Sequence, residues 1–385
     1  MTHTPIRIAV LGCTGSIGCQ TLDVIEQLPG RFAVQSLAAG RNTKLLAEQI
    51  TKFRPRYVYG EARSPDADAA ATAVGAVWTS MEDMALADDV DVVLVGTAGA
   101  AGLMPTLKAL EIGRPVAIAN KEVLVMAGHL VRRAMLAGGG ELRPVDSEHS
   151  AIWQCLWGEE QHEIRRILLT ASGGAFRDFD EGQLAAVTPE QALNHPTWKM
   201  GAKITVDSAS LMNKGMETIE AIWLFGVPME RVEVVLHRES IVHSLVEFSD
   251  GSVKAQLGVP DMRLPIQCAL AYPERMPTPP SPVLNLGAIG TLHFGEPDLG
   301  RFPCLRLAME SGERGGTYPA VMAAADEVAV LRFIEGKIGF LDIPVIIEAT
   351  LEKHDGTADP NLETVIAADE WAREKAEALI AGRAS

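Results

Sequence analysis

Two acidic residues one position apart, Asp146 and Glu148, are the first candidates for chemistry in this chain. On an extended backbone, side chains at i and i+2 project to the same side, so the two carboxylates would share one site. Two like charges held close together need a cation or a proton between them. A helix cap and an ordinary surface acid are the alternative interpretation of the same pair.

A third carboxylate, Glu217, follows Asn213 at the i, i+4 spacing that places two side chains on one face of a helix. Ser208, a few residues earlier, is a candidate cap for that helix. A set of carboxylates without His or Cys favours a hard cation such as Mg²⁺ or Mn²⁺ over structural zinc. Spacing alone leaves open whether these distant acids converge.

A glycine-rich segment, Gly12–Gly18, follows an apolar run and opens an amphipathic one. In that context glycines let backbone N–H groups approach a pyrophosphate at the positive end of a helix. The next strand leads into Gly40-Arg41-Asn42, where a guanidinium suits a 2′-phosphate and therefore favours NADP over NAD. An exposed loop arginine is the alternative interpretation.

Two later strand ends carry small and polar residues of the same kind. Thr97–Gly102 suits close approach of the backbone to a cofactor, and Asn120 and Lys121 follow the next strand. Ligands bind beyond the carboxyl ends of strands in doubly wound sheets, so these side chains are predicted to face a cleft. An ordinary turn and a solvated surface lysine are the alternatives.

Donors suited to a phosphate dianion occur in three segments. The strand-end run Ser172-Gly173-Gly174 can wrap an anion with backbone N–H groups. The polar loop 194–201 carries a large aromatic residue, so it is either a lid over the site or a packed surface turn. The candidate hydroxyl, amide and ammonium donors are Ser172, Ser208, Asn213 and Lys214.

The elements that must position these residues fall into three parts. From residue 6 to about residue 125, strand-like runs alternate with helical periodicity, which predicts a Rossmann-like, doubly wound parallel sheet of the α/β class. From about Pro144 onward, several strand-like runs and the hairpin signal Asp250-Gly251 predict a mixed or antiparallel sheet with helices. A proline-rich segment, 273–303, is predicted to lead into a helical C-terminal part.

Composition excludes several classes of function. The formal net charge of −16 argues against binding to nucleic acid or to an anionic membrane. Five cysteines without a C-x-x-C pair fit neither a disulfide framework nor a zinc site. No signal-like N-terminus and no apolar run of the roughly 18 residues needed to span a bilayer are present. The expected location is therefore the cytoplasm.

Taken together, these segments resemble those of 1-deoxy-D-xylulose 5-phosphate reductoisomerases. Six motifs occur in the same order as in that family, a further motif follows them, and the helical tail extends the likeness to nearly the whole chain. The segments are Gly12–Gly18, Ala119–Glu122, Val145–His149, Ser172–Gly174, His195–Gly201, Val206–Glu217 and Ala255–Arg263.

The resemblance implies a function and a domain organisation. The implied reaction is NADPH-dependent conversion of 1-deoxy-D-xylulose 5-phosphate to 2-C-methyl-D-erythritol 4-phosphate, by metal-assisted rearrangement and then hydride transfer. That step belongs to non-mevalonate isoprenoid precursor biosynthesis, and a homodimer is implied. The expected domains are an NADPH-binding domain (1–146), an α+β catalytic and dimerisation domain (147–272), a connecting segment (273–303) and a C-terminal helical bundle (304–385).

The resemblance also implies roles for individual residues. The implied metal ligands are Asp146, Glu148 and Glu217, holding Mg²⁺ or Mn²⁺, with Co²⁺ as a further candidate. The implied cofactor-binding residues are Thr14, Gly15, Ser16, Ile17, Gly40, Arg41, Asn42, Asn120, Glu122 and Gly201. The implied catalytic and substrate-binding residues are Lys121, Ser147, Glu148, Ser172, His195, Trp198, Ser208, Asn213, Lys214 and Glu217.

The chain departs from the family pattern at a few positions. Cys13, Ala171 and Ala175 stand where Ser, Gly and Pro are common, and His237-Arg238-Glu239-Ser240 replaces the usual His-Pro-Gln-Ser. The last departure concerns the entry into the local strand and the subunit contact that the family implies.

Two other functions fit parts of the pattern. One is an NADP-dependent semialdehyde dehydrogenase with Cys155 as the nucleophile. The other is a sugar-phosphate or nucleotide sensor without catalytic activity.

Overall fold

The structure is a computed structural model that describes residues 4–195, 198, 200–276 and 281–383. Pro277, Pro279 and Pro280 of the predicted connecting segment lie outside the described residues. The described chain divides into two compact units. Unit 1 comprises the chain up to Val123, His129–Ser150 and Asp261–Val283, and unit 2 comprises Leu124–Gly128, Ala151–Pro260 and the chain from Leu284 onward.

Strands and helices alternate regularly over the first part of the chain. The predicted alternation of strands and helices is confirmed here, because apolar runs and helical periodicity are both strong in this region. The elements are β1 (Ile6–Leu11), α1 (Ser16–Gln27), β2 (Phe32–Ala39), α2 (Thr43–Phe53), β3 (Tyr57–Gly60), α3 (Pro65–Val74), β4 (Val77–Trp78), α4 (Met81–Leu86), β5 (Val92–Val95), a 3-10 turn (Gly99–Gly102), α5 (Leu103–Glu111), β6 (Val116–Ile118), α6 (Lys121–Gly138), β7 (Leu142–Pro144) and α7 (Ser147–Cys155).

The strands of unit 1 form one parallel sheet in the order β4-β3-β2-β1-β5-β6-β7. Chain order reverses between β1 and β5, and such a reversal opens a crevice at the carboxyl ends of the strands. All four residues of β5 are buried, as expected of a central strand covered on both faces. The predicted doubly wound parallel sheet is confirmed.

The remaining elements follow in chain order, and α12 among them belongs to unit 1. They are a 3-10 turn (Gln161–Glu163), β8 (Ile164–Ala171), α8 (Glu181–Ala185), α9 (Pro189–Ala192), α10 (Ala202–Ser210), α11 (Met212–Phe225), a 3-10 turn (Met229–Arg231), β9 (Val232–His237), β10 (Val242–Phe248), β11 (Val253–Leu257), α12 (Arg263–Ala271), α13 (Leu286–Ile289), β12 (Phe294–Gly295), α14 (Pro303–Arg314), α15 (Tyr318–Ile334), α16 (Asp342–Leu351) and α17 (Leu362–Arg383).

The sheet of unit 2 is mixed, with strand order β11-β10-β8-β9-β12. Only β8 and β9 run parallel among its paired strands, and the other neighbours are antiparallel. The hairpin between β10 and β11 turns at Gly251, whose φ of 85° is a conformation that favours glycine. The predicted mixed sheet and the Asp250-Gly251 hairpin are both confirmed.

Helices α14 to α17 form the helical part of unit 2, and α15 packs against both α16 and α17. Phe333, Phe340 and Ile343 are buried in their core, together with residues of α10 and α11. The predicted C-terminal helical region is therefore confirmed. The three functional domains and the connecting segment proposed from the sequence stay a prediction. In the part of the chain that the structure describes, no helix combines the length and apolar character required to cross a bilayer.

Helix α6 is irregular in its middle. Ala127 has non-helical backbone angles (φ −141°, ψ 26°), so two helical segments meet there. At the next residue, Gly128, an added Cβ would lie 2.2 Å from Cδ1 of Trp223. The indole of Trp223 therefore packs directly on the bare backbone of α6, which only glycine permits.

Candidate active site

The glycine-rich turn of unit 1 is built for close approach of backbone. Gly12 has φ of 92°, and a Cβ there would lie 2.4 Å from the carbonyl oxygen of Gly96. A Cβ on Gly18 would lie 2.2 Å from the carbonyl oxygen of Gly12. Helix α1 begins after Gly15, with no side-chain cap and no acidic residue in its first turn. Its positive end is therefore available to an anion, as predicted.

A cavity of about 360 Å³ lies beside this turn, at the carboxyl ends of the strands of unit 1. Its volume falls in the range of roughly 300–1,000 Å³ that is typical of small-molecule and cofactor sites. Thr14, Gly15 and Gly40 of the predicted cofactor set line it. The other lining residues are Gly12, Ala38, Ala39, Tyr59, Glu61, Met81, Gly96, Thr97, Ala98 and Ala101.

The loop after β2 carries the predicted 2′-phosphate ligand. The side chain of Arg41 is 85% exposed, and its Nη2 lies 3.3 Å from Oε1 of Glu61. Asn42 serves as the cap of α2, because its Oδ1 accepts a hydrogen bond from the Leu45 N–H at 3.2 Å. Glu61 was not predicted from the sequence, although its place directly after β3, at another strand end, was an available signal.

Ser16 and Ile17 form the first turn of α1. Ser16 Oγ accepts a hydrogen bond from Nε2 of Gln20 at 3.2 Å. The side chain of Ile17 lies against Gly96, where an added Cβ would be 3.4 Å from its Cγ2. Both residues are thus held beside the glycine-rich turn.

Asn120 is buried and uses its whole side chain within unit 1. Its Nδ2 donates to the carbonyl oxygen of Gly99 at 2.9 Å and to Oγ1 of Thr97 at 3.1 Å. Its Oδ1 accepts from the Val123 N–H and so caps α6, in whose first turn Glu122 is half-buried. Asn120 therefore holds the 97–102 turn against the start of α6.

The acidic pair predicted to bind a metal lies where β7 leads into α7. Lys121 Nζ lies 2.6 Å from Oδ2 of Asp146, and both side chains are largely buried. Ser147 donates its N–H to Oδ1 of Asp146 at 3.1 Å and its hydroxyl to Oε2 of Glu148 at 2.6 Å. The lysine compensates a carboxylate that would be costly to bury alone.

The backbone of this acidic pair differs from the expectation. We expected an extended segment with both carboxylates on one side, and this was wrong because α7 already begins at Ser147. Glu148 therefore lies in the first turn of a helix, where a carboxylate interacts favourably with the helix dipole.

In unit 2, a histidine joins two serines that are distant along the chain. Nε2 of His195 lies 3.2 Å from Oγ of Ser172 and 3.1 Å from Oγ of Ser208. The backbone N–H of Trp198 donates to the other ring nitrogen, Nδ1, at 2.9 Å. Burial, and then the charge of Arg177, lower the pKa of His195 to about 4. The imidazole is therefore neutral near pH 7, with its proton on Nε2.

Glycines after β8 bring these serines together. Gly173 and Gly174 have φ of 84° and 69°. A Cβ on Gly174 would lie 2.4 Å from the carbonyl oxygen of Ser208, so α10 packs directly on this turn. The Gly174 N–H also donates to Oγ of Ser172 at 3.3 Å. The run Ser172–Gly174 follows strand β8, as predicted, and its glycines let two backbone segments pack closely. Its binding of an anion stays a prediction.

Glu217 is buried in α11 with two donors beside it. Nδ2 of Asn213 donates to its Oε1 at 2.5 Å, which confirms the predicted shared helix face. Nζ of Lys214 donates to its other oxygen. Ser208 was wrongly expected to cap this helix: it lies inside α10, and Leu211, with φ of 62°, separates α10 from α11.

Residues of the loop before α10 are described only in part, since Pro196, Thr197 and Lys199 lie outside the described residues. The Trp198 ring lies 6.3 Å from the ring of His243, and Gly201 precedes α10 as its cap residue. His243 was not predicted from the sequence, because it is a buried strand residue that belongs to no motif. Burial lowers its pKa to about 4.

The structure therefore groups the predicted residues within each unit. In unit 1, Lys121, Asp146, Ser147 and Glu148 are linked. In unit 2, Ser172, His195 and Ser208 form one cluster, and Asn213, Lys214 and Glu217 form another. Convergence of all three carboxylates on one cation stays a prediction.

The cysteines do not support a thiol nucleophile. Burial raises the pKa of Cys155 to about 11, and it raises the pKa of Cys268 to about 11 as well. Cys13 and Cys304 are also buried with raised pKa values, and the partly buried Cys19 shifts the same way. A reactive cysteine needs the opposite shift, so the dehydrogenase interpretation is disfavoured.

Comparison with known proteins decides the family. Residues 8–128 match the family model of 1-deoxy-D-xylulose 5-phosphate reductoisomerase, and residues 142–225 match that of its C-terminal domain. Residues 257–375 match a further DXP reductoisomerase C-terminal domain. The chain is 52% identical over 386 residues to the reductoisomerase of Gloeobacter violaceus, covering 97% of both chains. The chain belongs to the 1-deoxy-D-xylulose 5-phosphate reductoisomerase family.

Other members of this reductoisomerase family agree with the assignment. The enzyme of Pelotomaculum thermopropionicum is 52% identical over 374 residues, with 95% of this chain and 96% of that protein covered. The solved reductoisomerase of Zymomonas mobilis in complex with NADPH has a TM-score of 0.91 and 44% identity, covering 98% and 99% of the two chains. A reductoisomerase in complex with NADPH, fosmidomycin and magnesium has a TM-score of 0.91 and 38% identity, covering 97% and 98%.

One departure from the reductoisomerase pattern has a structural account. Glu239 accepts hydrogen bonds from the N–H and Nδ1 of His293, at 3.1 and 2.6 Å, and Arg238 pairs with Asp178. The rings of His237 and Phe294 stack 4.7 Å apart. The altered run therefore binds the segment around β12 to the end of β9.

Proposed function

We propose that this chain converts 1-deoxy-D-xylulose 5-phosphate to 2-C-methyl-D-erythritol 4-phosphate, using NADPH and a divalent metal. The reaction supplies isoprenoid precursors. One observation carries the proposal above the others. Over 97% of its length the chain shares its fold with a reductoisomerase solved with NADPH, fosmidomycin and magnesium.

The cavity of unit 1 fits NADPH. Its walls are mostly small residues, which leave backbone N–H groups accessible to a pyrophosphate at the start of α1. Arg41 is exposed and pairs with Glu61, which lines the cavity, and it would take the 2′-phosphate. NADPH supplies the hydride for the reduction step. Further contacts are proposed for Thr14, Gly15, Ser16, Ile17, Gly40, Asn42, Asn120, Glu122 and Gly201.

Asp146, Glu148 and Glu217 fit a hard divalent cation. All three offer carboxylate oxygens, and Asp146 and Glu217 each already hold an ammonium group, from Lys121 and Lys214. Carboxylates that attract an ammonium group also attract a divalent cation, and hard divalent cations prefer oxygen ligands. Bound Mg²⁺, Mn²⁺ or Co²⁺ supplies Lewis-acid polarisation of substrate oxygens. Lys121 would add its own positive charge beside them.

The serine and histidine cluster of unit 2 fits the phosphate. The hydroxyls of Ser172 and Ser208 accept from Nε2 of neutral His195, so their own protons remain to donate to the ligand. Asn213 and Lys214 add an amide and an ammonium donor. Phosphate binding remote from the reacting carbons supplies energy for orientation.

Further parts of the proposal concern assembly. Trp198 would exclude water as part of a lid, and Ser147 would contact the substrate. We propose a homodimer in the cytoplasm, with residues 147–272 as the catalytic and dimerisation domain between the NADPH-binding and helical domains.

One assay tests the proposal. Purified protein is mixed with NADPH and 1-deoxy-D-xylulose 5-phosphate, and loss of nicotinamide absorbance is followed with and without a chelator. We expect turnover that the chelator abolishes and Mg²⁺ restores, and loss of turnover in Asp146→Asn. Tight NADPH binding without turnover would instead support a sensor, and near-wild-type turnover of Asp146→Asn at low Mg²⁺ would contradict the ligand assignment.

A further inference from the structure

Arg177 lies three residues beyond the glycine turn of the phosphate site, and none of the predicted roles includes it. Its Nη1 donates to the carbonyl oxygen of Ser172 at 2.8 Å. The side chain is 22% exposed, so most of it is packed against protein. A charge-assisted bond of this kind holds a backbone carbonyl more strongly than a neutral donor does.

The stem of Arg177 packs on the same turn. A Cβ added at Gly173 would lie 2.9 Å from Cβ and 3.1 Å from Cδ of Arg177. Because Gly173 has no side chain, there is room for the Arg177 side chain to reach the carbonyl oxygen of Ser172. The Arg177 side chain is therefore packed against the Ser172–Gly174 turn and is not merely a surface contact.

The bond to the Ser172 carbonyl has a geometric consequence for the site. The only cis peptide bond in the described chain is Tyr272-Pro273, so the peptide between Ser172 and Gly173 is trans and planar. In such a peptide the C=O and the N–H point in opposite directions. Holding the carbonyl toward Arg177 therefore directs the Gly173 N–H away from Arg177.

The charge of Arg177 reaches the phosphate cluster. After burial, the guanidinium is the second cause of the lowered pKa of His195, whose Nε2 contacts Ser172 and Ser208. A positive potential that disfavours a protonated imidazole favours a phosphate dianion at the same place.

We propose that Arg177 is a positioning residue of the phosphate site, which orients the Ser172–Gly174 turn and places a fixed positive charge behind it. The inference rests on the proposed function of Ser172 and Ser208 as phosphate ligands. It assigns Arg177 to substrate affinity rather than to the chemical step.

The test uses the full-length protein and inorganic phosphate as the probe, with Arg177→Met, Arg177→Lys and a matched control, Arg306→Met. Arg306 also loses one charge, but it pairs with Glu310 and Glu348 on the helical part of unit 2. Calorimetry measures the dissociation constant of phosphate, and steady-state kinetics separate KM from kcat. NADPH binding and melting temperature monitor the fold.

We expect Arg177→Met to raise the phosphate dissociation constant and the substrate KM on the order of 10- to 100-fold, the range for one charge-assisted hydrogen bond. kcat and NADPH binding should stay near wild type, and Arg177→Lys should recover part of the affinity because it keeps the charge. Arg306→Met should match wild type. Should Arg177→Met not fold, Arg177→Gln, which keeps a donor without the charge, gives the same comparison.

Wild-type phosphate affinity in Arg177→Met would overturn this inference alone, and so would an equal loss of affinity in Arg306→Met. A loss of kcat and NADPH binding along with phosphate affinity would likewise contradict it, because that pattern indicates general structural damage. Wild-type protein that binds NADPH but no phosphate would overturn the proposed phosphate site, and this inference with it.

Discussion

The backbone N–H of Trp198 donates to Nδ1 of His195 at 2.9 Å, and this bond determines which ring nitrogen carries the proton. An acceptor at Nδ1 leaves the proton on Nε2, which faces the hydroxyls of Ser172 and Ser208. Protonation of Nδ1 would set two donors against each other. The loop before α10 thus prepares the histidine to act as a neutral donor.

From this arrangement we expect His195 to titrate well below the ordinary histidine range. Its pKa is lowered to about 4, so the folded protein takes up this proton less readily than the unfolded chain. The stabilising effect of the neutral ring is complete above about pH 6.5 and is lost as the pH falls toward 4. Histidine NMR titration, assigned with His195→Gln, measures this directly. A midpoint near 6.5 would contradict the expectation.

Gly174→Ala should disrupt the phosphate site. The new Cβ would lie 2.4 Å from the carbonyl oxygen of Ser208, at a backbone φ of 69°. We expect a loss of substrate affinity and a destabilisation of about 1–3 kcal/mol from strain. Gly226→Ala is the matched control, since its φ of 65° is similar but open space surrounds it. KM values and chemical denaturation compare the two, and equal KM values would argue against the close contact.

Lys203→Met should lower the free energy of unfolding by about 3–5 kcal/mol, the range for breaking a buried ion pair. Lys203 Nζ lies 2.6 Å from Asp207 and 2.9 Å from Asp326, whose side chains are 3% and 0% exposed. Lys254→Met, which breaks the exposed pair with Glu159, should cost less than about 1 kcal/mol. Urea denaturation measures both, and similar losses in the two variants would refute the distinction.

Arg41→Met should weaken NADPH binding far more than NADH binding. The guanidinium is exposed and pairs only loosely with Glu61, a residue that lines the cavity, so it can take a 2′-phosphate that NADH lacks. We expect the ratio of the NADPH and NADH dissociation constants to change by about tenfold or more, since a charge-assisted bond is lost. Lys52→Met, which removes an exposed charge paired with Glu26, is the control. An unchanged ratio would exclude Arg41 from cofactor selection.

Much of the fold follows from local pattern in the sequence. Strand β1 and helix α2 are examples, because β1 contains a complete apolar run and α2 a complete amphipathic period. Helix α7 was missed because two acids spaced by one residue also fit an extended strand. The break between α10 and α11 was missed because it occurs at Leu211, a residue that rarely adopts positive φ.

The site residues could be predicted only where they belong to contiguous sequence motifs. Ser172, His195 and Ser208 belong to such motifs, and their contacts were found within unit 2. Glu61 was not predicted although it directly follows a strand, and Arg177 was not predicted because its contact with Ser172 is formed only by folding. Nothing in the local sequence indicates that the guanidinium of Arg177 contacts the glycine turn that precedes it.

The indole of Trp223 against Gly128 has an evolutionary consequence. A Cβ at position 128 would lie 2.2 Å from Cδ1 of Trp223, so even a methyl group there would overlap the ring. Saturation mutagenesis followed by selection for function should therefore recover glycine alone at this helical position. Loss of the ring, as in Trp223→Ala, should restore tolerance of alanine there, so the two positions are expected to co-vary.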